Sequence, residues 1–213
     1  MGVGKVVAEE IALPASPTVQ PLRPEHTAKA GQTLARAFWD DPLMQLVAPD
    51  LKRREAVAPW FFGCAVNLGM RHGHVFSNED ASAIAVWFGP GNTTLSPLRM
   101  LRAGMGALPF KAGLQATMRF MQAIPVTEKF HKTVKGPHWY LMAIGTLPEL
   151  QGKGYGSSLV EAGTSRADAE GLACYLETAT DADIAFYSKR GFELIGQQAV
   201  QGFTLSGMVR QPR

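Results

Sequence analysis

The stretch Gln151-Gly152-Lys153-Gly154-Tyr155-Gly156 combines residue types and spacing that suit one kind of chemistry. It follows an apolar, strand-like run that ends near Thr146 and leads into a helical pattern from Ser157. A glycine-rich turn that feeds a helix N-terminus presents free backbone N–H groups and the positive end of the helix dipole, which together bind phosphate. Two nucleotide loops fail on spacing. A Walker loop needs Gly five residues before its Gly-Lys pair and Ser or Thr after the lysine, where this chain has Leu147 and Gly154. A dinucleotide fingerprint needs its third glycine three residues after the second, whereas Gly152, Gly154 and Gly156 are spaced by two.

What remains is Gln-x-x-Gly-x-Gly after a strand. It is preceded by Trp139-Tyr140-Leu141-Met142-Ala143-Ile144-Gly145-Thr146 and followed by Cys174-Tyr175-Leu176-Glu177-Thr178 and Phe186-Tyr187-Ser188-Lys189-Arg190-Gly191-Phe192. This order resembles the Gcn5-related N-acetyltransferase (GNAT) superfamily over roughly residues 139–192. A looser likeness to its puromycin-acetyltransferase-like branch rests on Ala37-Phe38-Trp39-Asp40-Asp41-Pro42, on Ala85-Val86-Trp87-Phe88-Gly89-Pro90-Gly91, on Leu176-Glu177-Thr178 and on Met208-Val209-Arg210. The resemblance implies acetyl-CoA as co-substrate and the acyl-CoA N-acyltransferase fold. That fold is a mixed α/β, α+β-like arrangement with a mostly antiparallel twisted sheet, flanking helices and splayed central strands.

Acyl transfer from a thioester to an amine must anchor the donor, deprotonate the amine, stabilise the oxyanion and protonate the thiolate. The resemblance gives anchoring to Gln151, Gly152, Lys153, Gly154, Tyr155, Gly156 and Ser157. Gln151 stands where Arg is commoner; it keeps hydrogen bonding and loses a charge. The backbone of Ile144, Gly145 and Thr146 is expected beside the pantetheine and the thioester carbonyl, with Gly145 suiting a bulge or a close backbone approach. Tyr187 is expected to protonate the thiolate. The family's Asn has no counterpart as such: Thr180, Asp181 and Asp183 occupy the region, Asp183 is the candidate cofactor contact, and these residues also suit a helix cap.

The base is read from strand alternation. Glu177 faces opposite to Leu176, toward the slot, although an ion pair or cap explains it nearly as well. His131 and His138 flank the cofactor strand and could act through water. Trp39, Asp41 and His138 are the expected acceptor-pocket residues. Asp40 and Asp41 could attract a cationic amine, or simply end a helix.

These residues need elements to hold them. Val19 to Leu22 reads as a strand, and Ala30, Leu34 and Phe38 as a helix up to Trp39, broken by Asp40-Asp41-Pro42. Val57, Phe61, Cys64 and Leu68 mark a second helix that ends before Gly73. His74 to Ser77 and Ser82 to Phe88 read as paired strands, the second apolar on both faces. Residues 92–137 form a helical insertion of two helices near the acceptor site, and Phe110, Leu114, Met118 and Met121 recur at helical spacing as core or pocket wall. Val160, Gly163 and Ala167 would pack the cofactor helix closely on the sheet, with Gly171 as its cap. Two strands, near residues 192–196 and 203–209, close the chain.

With 213 residues, the chain suits one domain over residues 18–213 after a flexible leader at 1–17. Hydrophobic content of 46% against 18% charged residues excludes a disordered chain. A net charge of +3 with scattered basic residues argues against a nucleic-acid surface. Cys64 and Cys174 form no metal-like pair, so no metal is expected. No run reaches the ~18 apolar residues of a membrane span, and the expected location is the cytoplasm, as monomer or homodimer. The resulting expectation is an N-acetyltransferase that moves acetyl from acetyl-CoA directly to a small-molecule primary amine. The alternatives are a non-catalytic acyl-CoA-binding regulatory module and a protein or peptide N-acetyltransferase.

Overall fold

The computed structural model describes residues 17–94 and 96–213. All of the expected leader except Pro17 lies outside the described residues. Strands and helices follow in the order β1 (Gln20–Pro21), α1 (Thr27–Ala37), α2 (Pro42–Val47), α3 (Leu51–His72), β2 (His74–Ser77), β3 (Ala83–Phe88), α4 (Pro97–Arg102), α5 (Leu108–Lys111) and α6 (Leu114–His131). The chain continues with β4 (His138–Thr146), α7 (Tyr155–Ala169), β5 (Ala173–Thr178), α8 (Asp181–Ser188), β6 (Glu193–Val200) and β7 (Phe203–Arg210).

Seven strands form one sheet in the order β1-β2-β3-β4-β5-β7-β6. Every pairing is antiparallel except β4 with β5. This is the mixed, mostly antiparallel architecture expected from the resemblance. The parallel pair is short: His138 to Leu141 pair with Ala173 to Leu176, and the ladder stops there. From Met142 onward the two strands separate. β4 also carries a bulge, because Val86 pairs with Ala143 and Trp87 with Leu141, leaving Met142 over.

Strand alternation sorts the core into two layers. In β3, Ile84, Val86 and Phe88 face the α1–α3 side with Tyr140 and Tyr175, while Ala83, Ala85 and Trp87 face α7 with Trp139, Leu141 and Leu176. All six β3 side chains are buried, as a central strand requires. Two of the close approaches that glycines allow bear on the site. A Cβ on Gly163 of α7 would stand 2.2 Å from the Trp87 ring. One on Gly145 of β4 would stand 2.6 Å from Ala37 Cβ in α1. Of the two alternatives expected at Gly145, a bulge or a close approach, the structure has the close approach, made by α1, and the bulge of β4 lies at Met142. The end of α7 is a Schellman cap: Gly171 (φ +65°) and Leu172 donate to the Asp168 and Ala167 carbonyls.

Among the described residues of 92–137 there are three α-helices and one 3-10 turn (Met105–Ala107), where two helices were expected. Gly113, at φ +93°, breaks the pattern between Phe110 and Leu114. The stripe expected as core or pocket wall is on the outside: Phe110, Leu114, Met118 and Met121 are all more than half exposed. The face of α6 that packs inward carries Ala116, Ala123, Val126 and Phe130.

Candidate active site

The separation of β4 from β5 opens a cavity of about 1080 Å³ that reaches both faces of the sheet. On the α7–α8 side its wall includes Gln151, Gly152, Gly154, Tyr155, Gly156, Ser157, Phe186 and Tyr187. On the α1–α3–α6 side it includes Phe38, Asp41, Phe61, Phe120, Glu128, His131, His138, Tyr140 and Glu177. Ile144, Gly145, Thr146 and Asp183 line the passage between them. Among the expected site residues, Lys153 and Trp39 do not line the wall. The Trp39 ring lies under the Arg54 guanidinium, 5.4 Å from centroid to Cζ.

The loop before α7 is built to meet an anion. Gly152 and Gly154 take left-handed backbone conformations, φ +76° and +90°, which only glycine adopts without strain. Among the described residues, no backbone N–H from Gly152 to Ser157 donates a hydrogen bond, the first being Ser158 N–H to the Gly154 carbonyl. Six successive donors thus stand free at a helix start, a geometry that fits a pyrophosphate. The Gln151 amide turns away and donates to the Thr146 carbonyl at 3.3 Å.

That contact also orients the end of β4. Leu147 N–H donates to Ser82 on the β3 side, while the Thr146 carbonyl meets Gln151. Because successive peptide groups alternate, the N–H groups of Ile144 and Thr146 point into the slot left by β5.

Glu177 sits where strand alternation puts it, on the face of Tyr175 two residues earlier. Its side chain is 8% exposed and accepts a hydrogen bond from the Tyr175 hydroxyl at 2.9 Å. Burial pushes its carboxyl up to about 7, with hydrogen bonds from Tyr140 and Tyr175 partly offsetting the shift. His131 Nδ1 lies 3.9 Å from Glu177 Oε1, too far for a hydrogen bond. Burial, then the neighbouring His138, holds His131 down to about 4, so at neutral pH it is no counter-ion for Glu177. The Nε2 atoms of both histidines are buried without a partner among the described residues.

Tyr187 approaches from the opposite layer. It is buried against Phe186 and Phe192, and burial, then the Asp183 charge, raises its phenol well above the ordinary value. Asp183 serves the α8 cap. Thr180 is the N-cap, accepting from Asp183 N–H at 3.1 Å, and the Thr178 and Thr180 hydroxyls donate to the Asp183 carboxylate. Asp41 caps α2 by accepting from Leu43 N–H at 2.8 Å. Burial raises its carboxyl to about 6, and the nearby Asp183 charge adds to the rise.

Tyr140 and Tyr175 were not singled out by the sequence. They pair across β4–β5, their rings stacked 5.7 Å apart. The available signal was Tyr175 two residues before Glu177, hence on its face; Tyr140 needed the register of two distant strands. Phe120, Thr127 and Glu128 reach the wall from α6, on helix positions that the apolar stripe did not mark. Cys64 is the thiol on the wall, and burial keeps it protonated to about 11. Among the described residues, no group of three or more His, Cys, Asp or Glu gathers as a metal site, and no helix is long and apolar enough to cross a membrane.

Residues 117–192 match the Acetyltransferase (GNAT) family. The chain is 29% identical over 197 residues to an uncharacterized N-acetyltransferase of Schizosaccharomyces pombe, covering 86% of this chain and 79% of the relative. Among solved structures, it resembles a Corynebacterium glutamicum protein described as histone acetyltransferase HPA2 and related acetyltransferase. That likeness has a TM-score of 0.71 at 24% identity, over 93% of this chain and 97% of the other. It also resembles a Drosophila melanogaster polyamine N-acetyltransferase, with a TM-score of 0.60 at 16% identity over 91% and 99% of the two chains. At these identities the structural likenesses show the fold.

Proposed function

We propose that this chain is an acetyltransferase of the GNAT superfamily, which its residues 117–192 match, and that it transfers acetyl from acetyl-CoA to the primary amine of a small molecule, directly, in a ternary complex. The observation that carries this reading is the single cavity spanning the sheet. Its phosphate-suited loop and Tyr187 lie on one face, Glu177 and an aromatic chamber on the other, with the open edge of β4 between. Donor and acceptor can thus enter from opposite faces and meet at the splay.

Each group has a task set by its environment. An alkyl ammonium, pKa ~10, must lose a proton before it attacks. Glu177, with a carboxyl near 7, is partly ionised at neutral pH and suits a general base. Asp41, on the same wall, attracts the cation. The Ile144 N–H faces the slot, where it can donate to the carbonyl oxygen as negative charge develops. Tyr187 keeps its proton across the working pH range and can yield it to the departing thiolate. Bound acetyl-CoA supplies the activated acyl group. A relay through cysteine is disfavoured: burial holds Cys64 protonated to about 11 and Cys174 to about 12, and a thiol is a poor nucleophile.

The small-molecule acceptor is supported by α6, which sets Phe120, Ala123, Ile124, Thr127, Glu128 and His131 against the acceptor end of the cavity. With Phe38, Phe61 and Tyr140 they make a chamber suited to an amine with an apolar body. A calorimetric titration tests the donor side: micromolar binding of acetyl-CoA but not ATP is expected, and no binding of either refutes the reading. A panel of small amines and a lysine peptide, read by free-thiol release, then tests the acceptor. Turnover of the peptide alone would overturn the small-molecule assignment.

A further inference from the structure

The loop before α7 provides little charge of its own. Gln151 is neutral and turned toward Thr146, and Lys153 is exposed outside the cavity wall. A guanidinium nevertheless stands at the first turn of α7. Arg190, two residues beyond α8, lies over the Phe186 ring with Cζ 3.4 Å from its centroid. It donates to the Phe186 carbonyl and to the Ser157 hydroxyl. Phe186 in turn packs on Gly156, where a Cβ would stand 3.2 Å from the ring. The Phe186–Arg190 stack therefore sits against the residues whose N–H groups are free, and Arg190 lines the cavity. Its Nε is buried without an acceptor, and among the described residues no carboxylate lies within 4.0 Å of it. Burial lowers its pKa, the direction expected of a cation without a counter-ion. A part-buried guanidinium with an unused donor is costly unless an anion completes it.

We propose that Arg190 binds a phosphate of the acyl-CoA donor and supplies the positive charge that Gln151 lacks. This rests on the acetyltransferase reading above. The fixed fork of a guanidinium suits phosphate oxygens, and the stack on Phe186 holds that fork beside the loop, so little ordering remains when the donor binds.

The test compares the affinity of the natural chain, Arg190→Gln and Arg190→Lys for acetyl-CoA, by calorimetry, and for S-acetylpantetheine, which has no phosphate, by ligand-observed NMR. Arg190→Gln is expected to weaken acetyl-CoA about 10- to 100-fold, the scale of one lost charge-assisted hydrogen bond, and to leave S-acetylpantetheine unchanged. Arg190→Lys should lie between, since it keeps the charge and loses the fork. If the glutamine variant does not fold, the same ratio of the two affinities is read from the lysine variant. Unchanged acetyl-CoA affinity overturns the proposal. So does equal weakening of both ligands, which would make Arg190 a structural brace of α8. A donor lacking the ribose phosphate locates the contact: a loss that persists puts Arg190 on the pyrophosphate, and one that vanishes puts it on the ribose phosphate. Failure of the natural chain to bind acetyl-CoA would remove the acetyltransferase reading itself.

Discussion

Glu177 and Tyr187 reach the same opening from opposite faces of one sheet, and their proposed roles leave different kinetic signatures. A carboxyl near 7 is a base only when ionised. The acetylation rate should therefore rise with pH through about 7, in addition to the slope that the amine's own ionisation imposes nearer ~10. Glu177→Gln should erase the lower limb, keep the upper slope and cut kcat/KM about 100-fold. A lower limb that survives in the variant would move the base elsewhere, with His138 next on the wall. Tyr187→Phe should cost about 10- to 100-fold in kcat while acetyl-CoA affinity stays within about twofold; an equal loss of binding would reduce Tyr187 to a core residue. The position of Glu177 was legible because alternation in a strand is local. The environment that tunes it was not. Tyr140 and His131 come from β4 and α6, and nothing local in the sequence sets their distance from β5.

At the scale of elements, α7 carries the loop, so its seat on the sheet should set donor binding. That seat is Gly163 against Trp87, whose indole N–H also donates to the Leu159 carbonyl at 3.3 Å. Gly163→Ala would gain up to about 1 kcal/mol of helix propensity, but its methyl has no room. We expect a net loss of about 1–3 kcal/mol from overpacking, read as a lower urea midpoint at unchanged slope, together with weaker acetyl-CoA binding as the loop shifts. A variant as stable as the natural chain would show that Trp87 yields. This contact was legible as small residues on one helix face, as were the paired β2 and β3 strands, because periodicity and glycine caps are short-range signals. The segment 92–137 was not. Its apolar residues keep helical spacing across Gly113, whose left-handed backbone ends one helix before the next begins. The spacing therefore joined residues of two helices into one face, and the stripe it defined points outward.

For the whole molecule, stability against pH is set by groups that pull in opposite directions. Glu177 and Asp41 are raised to about 7 and about 6. The folded chain keeps their protons longer than the unfolded one, so their contribution is full at low pH and is lost as pH rises through those values. His131 is lowered to about 4; its contribution is full above the ordinary histidine range and is lost as pH falls toward 4. Between about pH 5 and 6 two raised carboxyls outweigh one lowered histidine, so these groups together predict a shallow fall in stability as pH rises. Below about pH 5, one pair dominates. Arg210 of β7, 5% exposed, donates to both Asp168 oxygens of α7 at 2.7 Å, and Arg213 N–H adds a third bond at 2.9 Å. The Arg210 hydrogen bonds, with that of Arg213, hold the Asp168 carboxyl below its usual range. Its contribution is therefore present above the unfolded value near ~4 and is lost as pH falls through the folded one. Asp168→Asn leaves a buried guanidinium facing a neutral amide, and should cost about 2 kcal/mol at neutral pH, less than a fully buried pair because Asp168 is part-exposed. The urea midpoints of the two proteins should then converge as pH drops toward about 3, where the natural carboxylate is itself taking up its proton. A gap that stays constant from neutral to acid pH would mean that Asp168 joins the helix to the last strand by packing alone, not by charge.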